Sequence, residues 1–185
     1  KKIQFFEAGS EETNCYNAVV YINGKAAIAV QNDGHGGSDM QHPLVGFDRS
    51  IIDAANEFCK KNFPATVFLW GGKTKENISQ KDILYACLET WCGDQINESL
   101  LRKDAKKLTT GKVSFVEGGQ IWSIATKKKP EADIVAYIKS KYGDVPILNN
   151  MPIEQQIQTL RAPRKDKIEQ SRFEISYAEA IKVPA

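Results

Sequence analysis

His35 and His42 are the two histidines of this chain, and both fall in the stretch Asn32-Asp33-Gly34-His35-Gly36-Gly37-Ser38-Asp39-Met40-Gln41-His42. Imidazole titrates nearest neutral pH of all side chains, and here two imidazoles share a short segment with two carboxylates. Asp33, His35, Asp39 and His42 therefore make a candidate donor set for a divalent metal or for general acid–base work. Their spacing, Asp-x-His-x-x-x-Asp-x-x-His, lacks the His-Glu-x-x-His pattern and any tight His-x-His pair, so it matches no zinc-hydrolase motif. Four ligands on a glycine-rich loop would also have to be ordered at an entropic cost.

A second chemistry uses backbone. Gly34, Gly36 and Gly37 lack Cβ atoms, so successive N–H groups could converge on a phosphate or carboxylate, with a histidine as an additional donor; Asn32 and Ser38 belong to the same candidate ligand-binding set. A third reading is purely structural, because Asn-Asp-Gly and Gly-Gly are turn sequences, and Asp33 or Ser38 can bond to nearby backbone. That reading explains the glycines but not the clustering of both histidines with Met40. The residues weigh toward binding rather than catalysis, with no cofactor required and a divalent metal as the alternative.

The elements that must position this stretch are legible around it. Ala18–Ile22 and Lys25–Val30 are runs of small and β-branched residues separated by Asn23-Gly24, a dipeptide that accepts positive φ at both positions of a type I′ turn. This predicts a β-hairpin whose second strand delivers the chain into the loop, with an earlier short strand over Ile3–Glu7. Phe47, Ile51, Ala54, Ala55 and Phe58 recur at helical spacing after a capping Asp48. Thr66–Trp70 is β-prone and stops at Gly71-Gly72. Ser79-Gln80-Lys81-Asp82 resembles a capping box, which predicts a helix carrying Ile83, Leu84, Cys87, Leu88 and Trp91 that ends or bends at Gly93. Val113–Val116 and Ile121–Ala125 predict a second hairpin around Gly118-Gly119. A helix with Pro130 at its first position follows, carrying Ile134, Val135, Ile138 and Tyr142 and ending at Gly143. A shorter helix carries Ile153, Ile157 and Leu160. The fold class expected is α+β, a single compact domain of hairpins packed with amphipathic helices over residues 1–160. Residues 161–185 are expected as a basic C-terminal appendage or as an edge strand over Arg172–Tyr177, with Arg161, Arg164, Lys165, Lys167 and Arg172 offset by Asp166 and Glu169.

With 25 basic and 23 acidic residues there is no global field that demands nucleic acid or an acidic membrane. The charge is uneven: residues 1–92 hold 9 basic and 11 acidic side chains, and residues 93–185 hold 16 and 12. Nucleic acid is thus a candidate partner for the basic C-terminal half, although Lys127-Lys128-Lys129 and Lys103–Lys107 also read simply as solvated faces, with Trp122 and Tyr137 nearby in sequence. Cys15, Cys59, Cys87 and Cys92 form no Cys-x-x-Cys pair, which favours free thiols in a reducing cytoplasm over a zinc site. No apolar run reaches the ~18 residues of a membrane span and no signal-peptide pattern is present. Asn77 and Asn97 are then chance glycosylation matches. The chain begins at Lys1 rather than methionine, which leaves room for a preceding segment.

Other catalytic patterns fail on particular residues. Gly72-Lys73-Thr74 is not a phosphate-binding P-loop, because Val67 stands where the first glycine of that motif belongs. A Cys–His or Ser–His–Asp arrangement would need a distant nucleophile, and Cys15, the one cysteine outside an apolar helical stripe, has nothing in sequence to bring it near either histidine.

Ser10-Glu11-Glu12-Thr13-Asn14-Cys15-Tyr16, the Asn23-Gly24 hairpin and Asn32-Asp33-Gly34-His35-Gly36-Gly37 together resemble small uncharacterised proteins of bacteriophages and prophages. The Val113–Ile124 hairpin and the Ile147-Leu148-Asn149 run before Pro152 extend the likeness to roughly half of the chain. The resemblance implies a cytoplasmic accessory protein of a mobile element that acts on a host protein or host defence, and the loop residues read above make Asn32–His42 the expected contact. The alternatives are a metal-dependent hydrolase of phosphoesters or nucleotides, and a nucleotide-binding sponge that holds a small nucleotide-like ligand.

Overall fold

The computed structural model describes residues 2–69, 73–127, 129–161 and 172–184. Trp70, Gly71-Gly72, Lys128 and the basic run Arg164, Lys165 and Lys167, with Asp166 and Glu169, lie outside the described residues. The α+β class read from the sequence holds, with antiparallel strands throughout. The chain divides into two compact units, Lys1–Ile96 with Gln170–Ala185 and Asn97–Glu169.

The first unit is built on a four-stranded sheet in the order β1 (Lys2–Phe5), β2 (Tyr16–Ile22), β3 (Lys25–Asn32) and β4 (Met40–Pro43). Asn23 and Gly24 take φ of 50° and 78°, as the type I′ turn requires. Pairing starts at Ile22 with Lys25 and Tyr21 with Ala26. A bulge between Val20 and Tyr21 then shifts the register, so that Tyr16 lies opposite Asn32. Side chains alternate across the pleat. Tyr16, Ala18, Val20, Ile28 and Val30 form a buried face, while Asn17, Tyr21, Gln31 and His42 are exposed.

Two helices cover the apolar face. α1 (Ser50–Asn62) begins where Asp48 Oδ1 accepts the Ser50 N–H at 2.8 Å, and it buries Ala55 and Cys59. Phe58, which its spacing assigns to the buried stripe, is 60% exposed, because the stripe centres on the 55–59 row and leaves Phe58 on its flank. α2 (Leu88–Thr109) places Cys92 and Ile96 next to Ile3 and Ala18. It runs unbroken through Gly93, contrary to the expected stop, since one glycine costs a helix only ~1 kcal/mol. The Ser79/Asp82 capping box is real but opens a single 3-10 turn. Ile83 and Leu84 then form β6 and pair with β5 (Ala65–Phe68) rather than starting a helix. On the other side of β5 lies β9 (Arg172–Ile175), followed by the short α5 (Tyr177–Ala180). The edge-strand reading of Arg172–Tyr177 is thus what these residues adopt as far as Ile175. Gln80 anchors the end of the chain: its Nε2 donates to Ala180 O and Val183 O at 2.7 and 2.8 Å.

In the second unit β7 (Lys112–Glu117) and β8 (Gln120–Ala125) form the predicted Gly118-Gly119 hairpin. Val113 and Phe115 pack with Ile134 and Ile138 of α3 (Glu131–Tyr142) and with Ile147. Pro130 stands at the cap position of α3, one residue before the expected place. Asn149 fastens the hairpin from behind, accepting the Ser114 N–H at 2.9 Å and donating to Lys112 O at 2.9 Å. α4 (Ile153–Arg161) completes this unit.

Candidate binding surface

The stretch read as one loop is two things in the structure. Asn32 ends β3, and Met40–His42 belong to β4, so the connection is residues 33–39. Asn32 is its centre. The side chain is 8% exposed and uses both ends: Oδ1 accepts the Thr13 hydroxyl at 2.8 Å and the Gly34 N–H at 2.9 Å. Nδ2 donates to Gly37 O at 2.9 Å and to Asp39 Oδ1 at 3.1 Å. The other Asp39 oxygen accepts the Tyr16 hydroxyl. Burial, then the neighbouring Asp39, pushes the Tyr16 phenol far above its ordinary range, so it remains a donor at any physiological pH.

Gly34 is where the loop meets residues 9–15. Its carbonyl accepts the N–H groups of Glu11, Glu12 and Thr13 at 3.2, 2.9 and 3.1 Å. Its φ is +90°, and a Cβ there would stand 1.9 Å from Gly9 O. Gly36, at φ +86°, has its N–H donating to Thr13 Oγ1 at 3.3 Å. The His35 N–H donates to Asp33 Oδ1 at 3.2 Å. Three successive amides, Gly34, His35 and Gly36, therefore all have partners inside the protein. At these three groups the N–H donors that a phosphate cradle would use are bonded to Asn32, Asp33 and Thr13 side chains instead.

The four-residue donor set also separates. His35 Nδ1 lies 3.2 Å from Glu11 Oε2, with both side chains more than half exposed. Asp39 turns inward to Tyr16 and Asn32. His42 is exposed on β4 opposite Ala29. Among the described residues no group of three or more His, Cys, Asp or Glu side chains is placed to hold a metal ion. Asp33, His35 and Ser38 face solvent with Glu11 and Glu12, giving a predominantly acidic tip around one histidine.

Sequence reasoning missed the residues that build this frame: Gly9, Glu11, Thr13, Cys15 and Tyr16. The available signal was the hairpin register, which carries the start of β2 back to the end of β3. It also missed an apolar groove of about 470 Å³ at the far end of β2, beginning at Val20, about 13 Å along the strand from Tyr16 at ~3.3 Å per residue. Val20, Ile51, Cys59, Leu88 and Trp91 line it, with Phe58 and Tyr21, 60% and 47% exposed, among the lining side chains. Phe63 meets the edge of Phe58 at 6.3 Å between ring centroids. Among the described residues no helix is long and apolar enough to cross a membrane. Comparison with protein-family models, curated proteins and solved structures finds no match to this chain.

Proposed function

We propose that this chain is a non-enzymatic binding protein that presents residues 33–39 to a partner macromolecule as a preformed recognition loop. The observation that carries this reading is the internal use of the loop's own backbone. With the Gly34, His35 and Gly36 amides and the Gly34 carbonyl already bonded, the loop offers side chains from a fixed frame. A fixed frame loses little entropy on binding. The acidic tip formed by Glu11, Glu12 and Asp33 favours a partner with a basic surface. The resemblance to phage and prophage proteins directs the reading toward a protein of the host cytoplasm or its defences. A phosphoester hydrolase would need Asp33, His35, Asp39 and His42 to converge, and a nucleotide sponge would need the loop amides; the observed bonding favours neither.

A second reading rests on the apolar groove, whose exposed Phe58 and Tyr21 suit an apolar anchor of a protein partner. Affinity capture from the source cells separates the two. Glu11→Lys with His35→Ala changes the exposed tip without touching the bonds that frame the loop, and Phe58→Ser changes the groove. Loss of a captured partner in the tip variant alone supports the loop, and loss in Phe58→Ser alone supports the groove. A partner kept by both, or no stoichiometric partner at all, overturns both readings.

A further inference from the structure

The second unit carries 14 basic and 9 acidic residues. Arg102 and Arg161 spend their charge on Glu98, and Arg102 also on Glu154. Lys127 and Lys129 do not: neither forms an ion pair with a described residue, and both are exposed. They border a groove of about 610 Å³ between the end of β8 and α3, lined also by Ile124, Ile134, Asp133 and Tyr137.

Two half-exposed aromatic rings lie in the same unit: Tyr137 lines the groove, and Trp122 stands earlier on β8, five residues before Lys127. Trp122, on β8, is 50% exposed, and Tyr137, on α3, is 51% exposed. Trp122 precedes Ile124 by two residues, so both project from the same face of the strand, the face that carries Phe115 in the facing register. Lys141 Nζ lies 5.8 Å from the Tyr137 ring centroid and 5.0 Å from that of Tyr142, adding a cation beside the ring. Neither ring belongs to the buried Val113–Ile138 cluster, and each leaves about half of its surface open to water.

We propose that the second unit binds single-stranded nucleic acid along β8 and α3, with Lys127 and Lys129 meeting phosphates and Trp122 and Tyr137 stacking on bases. Charge complementarity selects a polyanion, and the rings decide which polyanion. Bases offer π-faces to a ring, whereas an acidic peptide would use the lysines and leave both rings without a role. A duplex keeps its bases stacked on each other and out of reach of Trp122 and Tyr137. Asp133 in the groove opposes dense phosphate packing and favours a few well-placed contacts over a broad electrostatic surface.

The test is fluorescence anisotropy of a labelled short oligothymidylate on the full chain at low salt, with a duplex of the same length and polyglutamate as competitors. The expected result is binding that the duplex and polyglutamate compete for poorly. Trp122→Ala and Tyr137→Ala should each weaken it about 5- to 150-fold, the range for loss of one stacked base, and Trp122→Phe should restore most of the loss. The Lys127→Ala/Lys129→Ala double variant should flatten the salt dependence by roughly 1.4 in log–log slope, two single-strand phosphates at about 0.7 each. Circular dichroism verifies that each variant is folded. The proposal is overturned by absence of oligothymidylate binding, by binding that the ring variants leave unchanged, or by equal displacement with polyglutamate, which would make this a surface for acidic protein segments. None of these outcomes bears on the loop, which lies in the other unit.

Discussion

Gly34→Ala isolates the contact on which the loop frame depends. Two costs add. At φ +90° an alanine is held outside the regions open to L-residues, which costs about 1–3 kcal/mol. Its Cβ would also fall 1.9 Å from Gly9 O, so the residue 9–15 segment must move away. Moving it stretches the three N–H bonds to the Gly34 carbonyl, each contributing roughly 1 kcal/mol. Together these give a loss of about 4–6 kcal/mol if all three bonds are lost. Two controls divide the sum. Gly24→Ala sits at φ +78° with open space around it, so it carries the backbone strain alone, about 1–2 kcal/mol. Gly37→Ala has open space and no positive φ, so it should stay within about 0.5 kcal/mol of the parent. Urea unfolding of the three variants with a common m value reads the differences directly. If Gly34→Ala costs no more than Gly24→Ala, the close approach of the two segments is wrong, and with it the claim of a fixed frame.

Further expectations come from other parts of the fold. Lys73 at 2.6 Å, then the Ser79 N–H, holds the Asp82 carboxyl at a pKa of about 2 against an ordinary 3.8. A lowered folded-state pKa stabilises above the unfolded value and is lost as pH falls through the folded one. The stability gap between the parent and Asp82→Asn should therefore be constant from neutral pH down to about 4 and close toward pH 2, which an acid-unfolding series followed by circular dichroism checks. Phe58→Ala should cost less than about 1 kcal/mol because the ring is 60% exposed. Ile138→Ala, at 0% exposure in the Val113 cluster, should cost about 2–5 kcal/mol. Chemical denaturation that ranked Phe58→Ala above Ile138→Ala would contradict the placement of the groove.

The sequence was informative where local chemistry decides. Asn23-Gly24 and Gly118-Gly119 announce their hairpins, and the alternation of β3 places Ile28 and Val30 inward. It was least informative where tertiary pairing overrides a local signal. Ser79 and Asp82 do cap a turn, yet Ile83 and Leu84 are taken into β6 because β5 offers backbone partners, and α2 tolerates Gly93 because the packed residues on either side hold it. The loop shows both sides of this. Its glycines and its Asx turn were readable, but counting back from Asn23-Gly24 pairs Tyr16 with Gln31. The bulge between Val20 and Tyr21 moves the register by one residue and brings Asn32 inward instead. That one-residue shift sends Asn32 to the Tyr16 side of the sheet, where it gathers Thr13, Gly34, Gly37 and Asp39. Nothing in the spacing of the histidines foretold that Asn32, rather than either imidazole, would organise the segment.

A recognition loop over residues 33–39 that is preformed, as proposed, is fixed before any partner arrives, and amide hydrogen exchange of the free protein reads this out. Exchange should be slowed at Gly34, His35 and Gly36, although His35 and Gly36 lie on an exposed connection, and at Glu11, Glu12 and Thr13, whose N–H groups meet the Gly34 carbonyl. Exchange of these six amides at the rates of an unstructured chain, while β2 and β3 stay protected, would contradict a preformed loop.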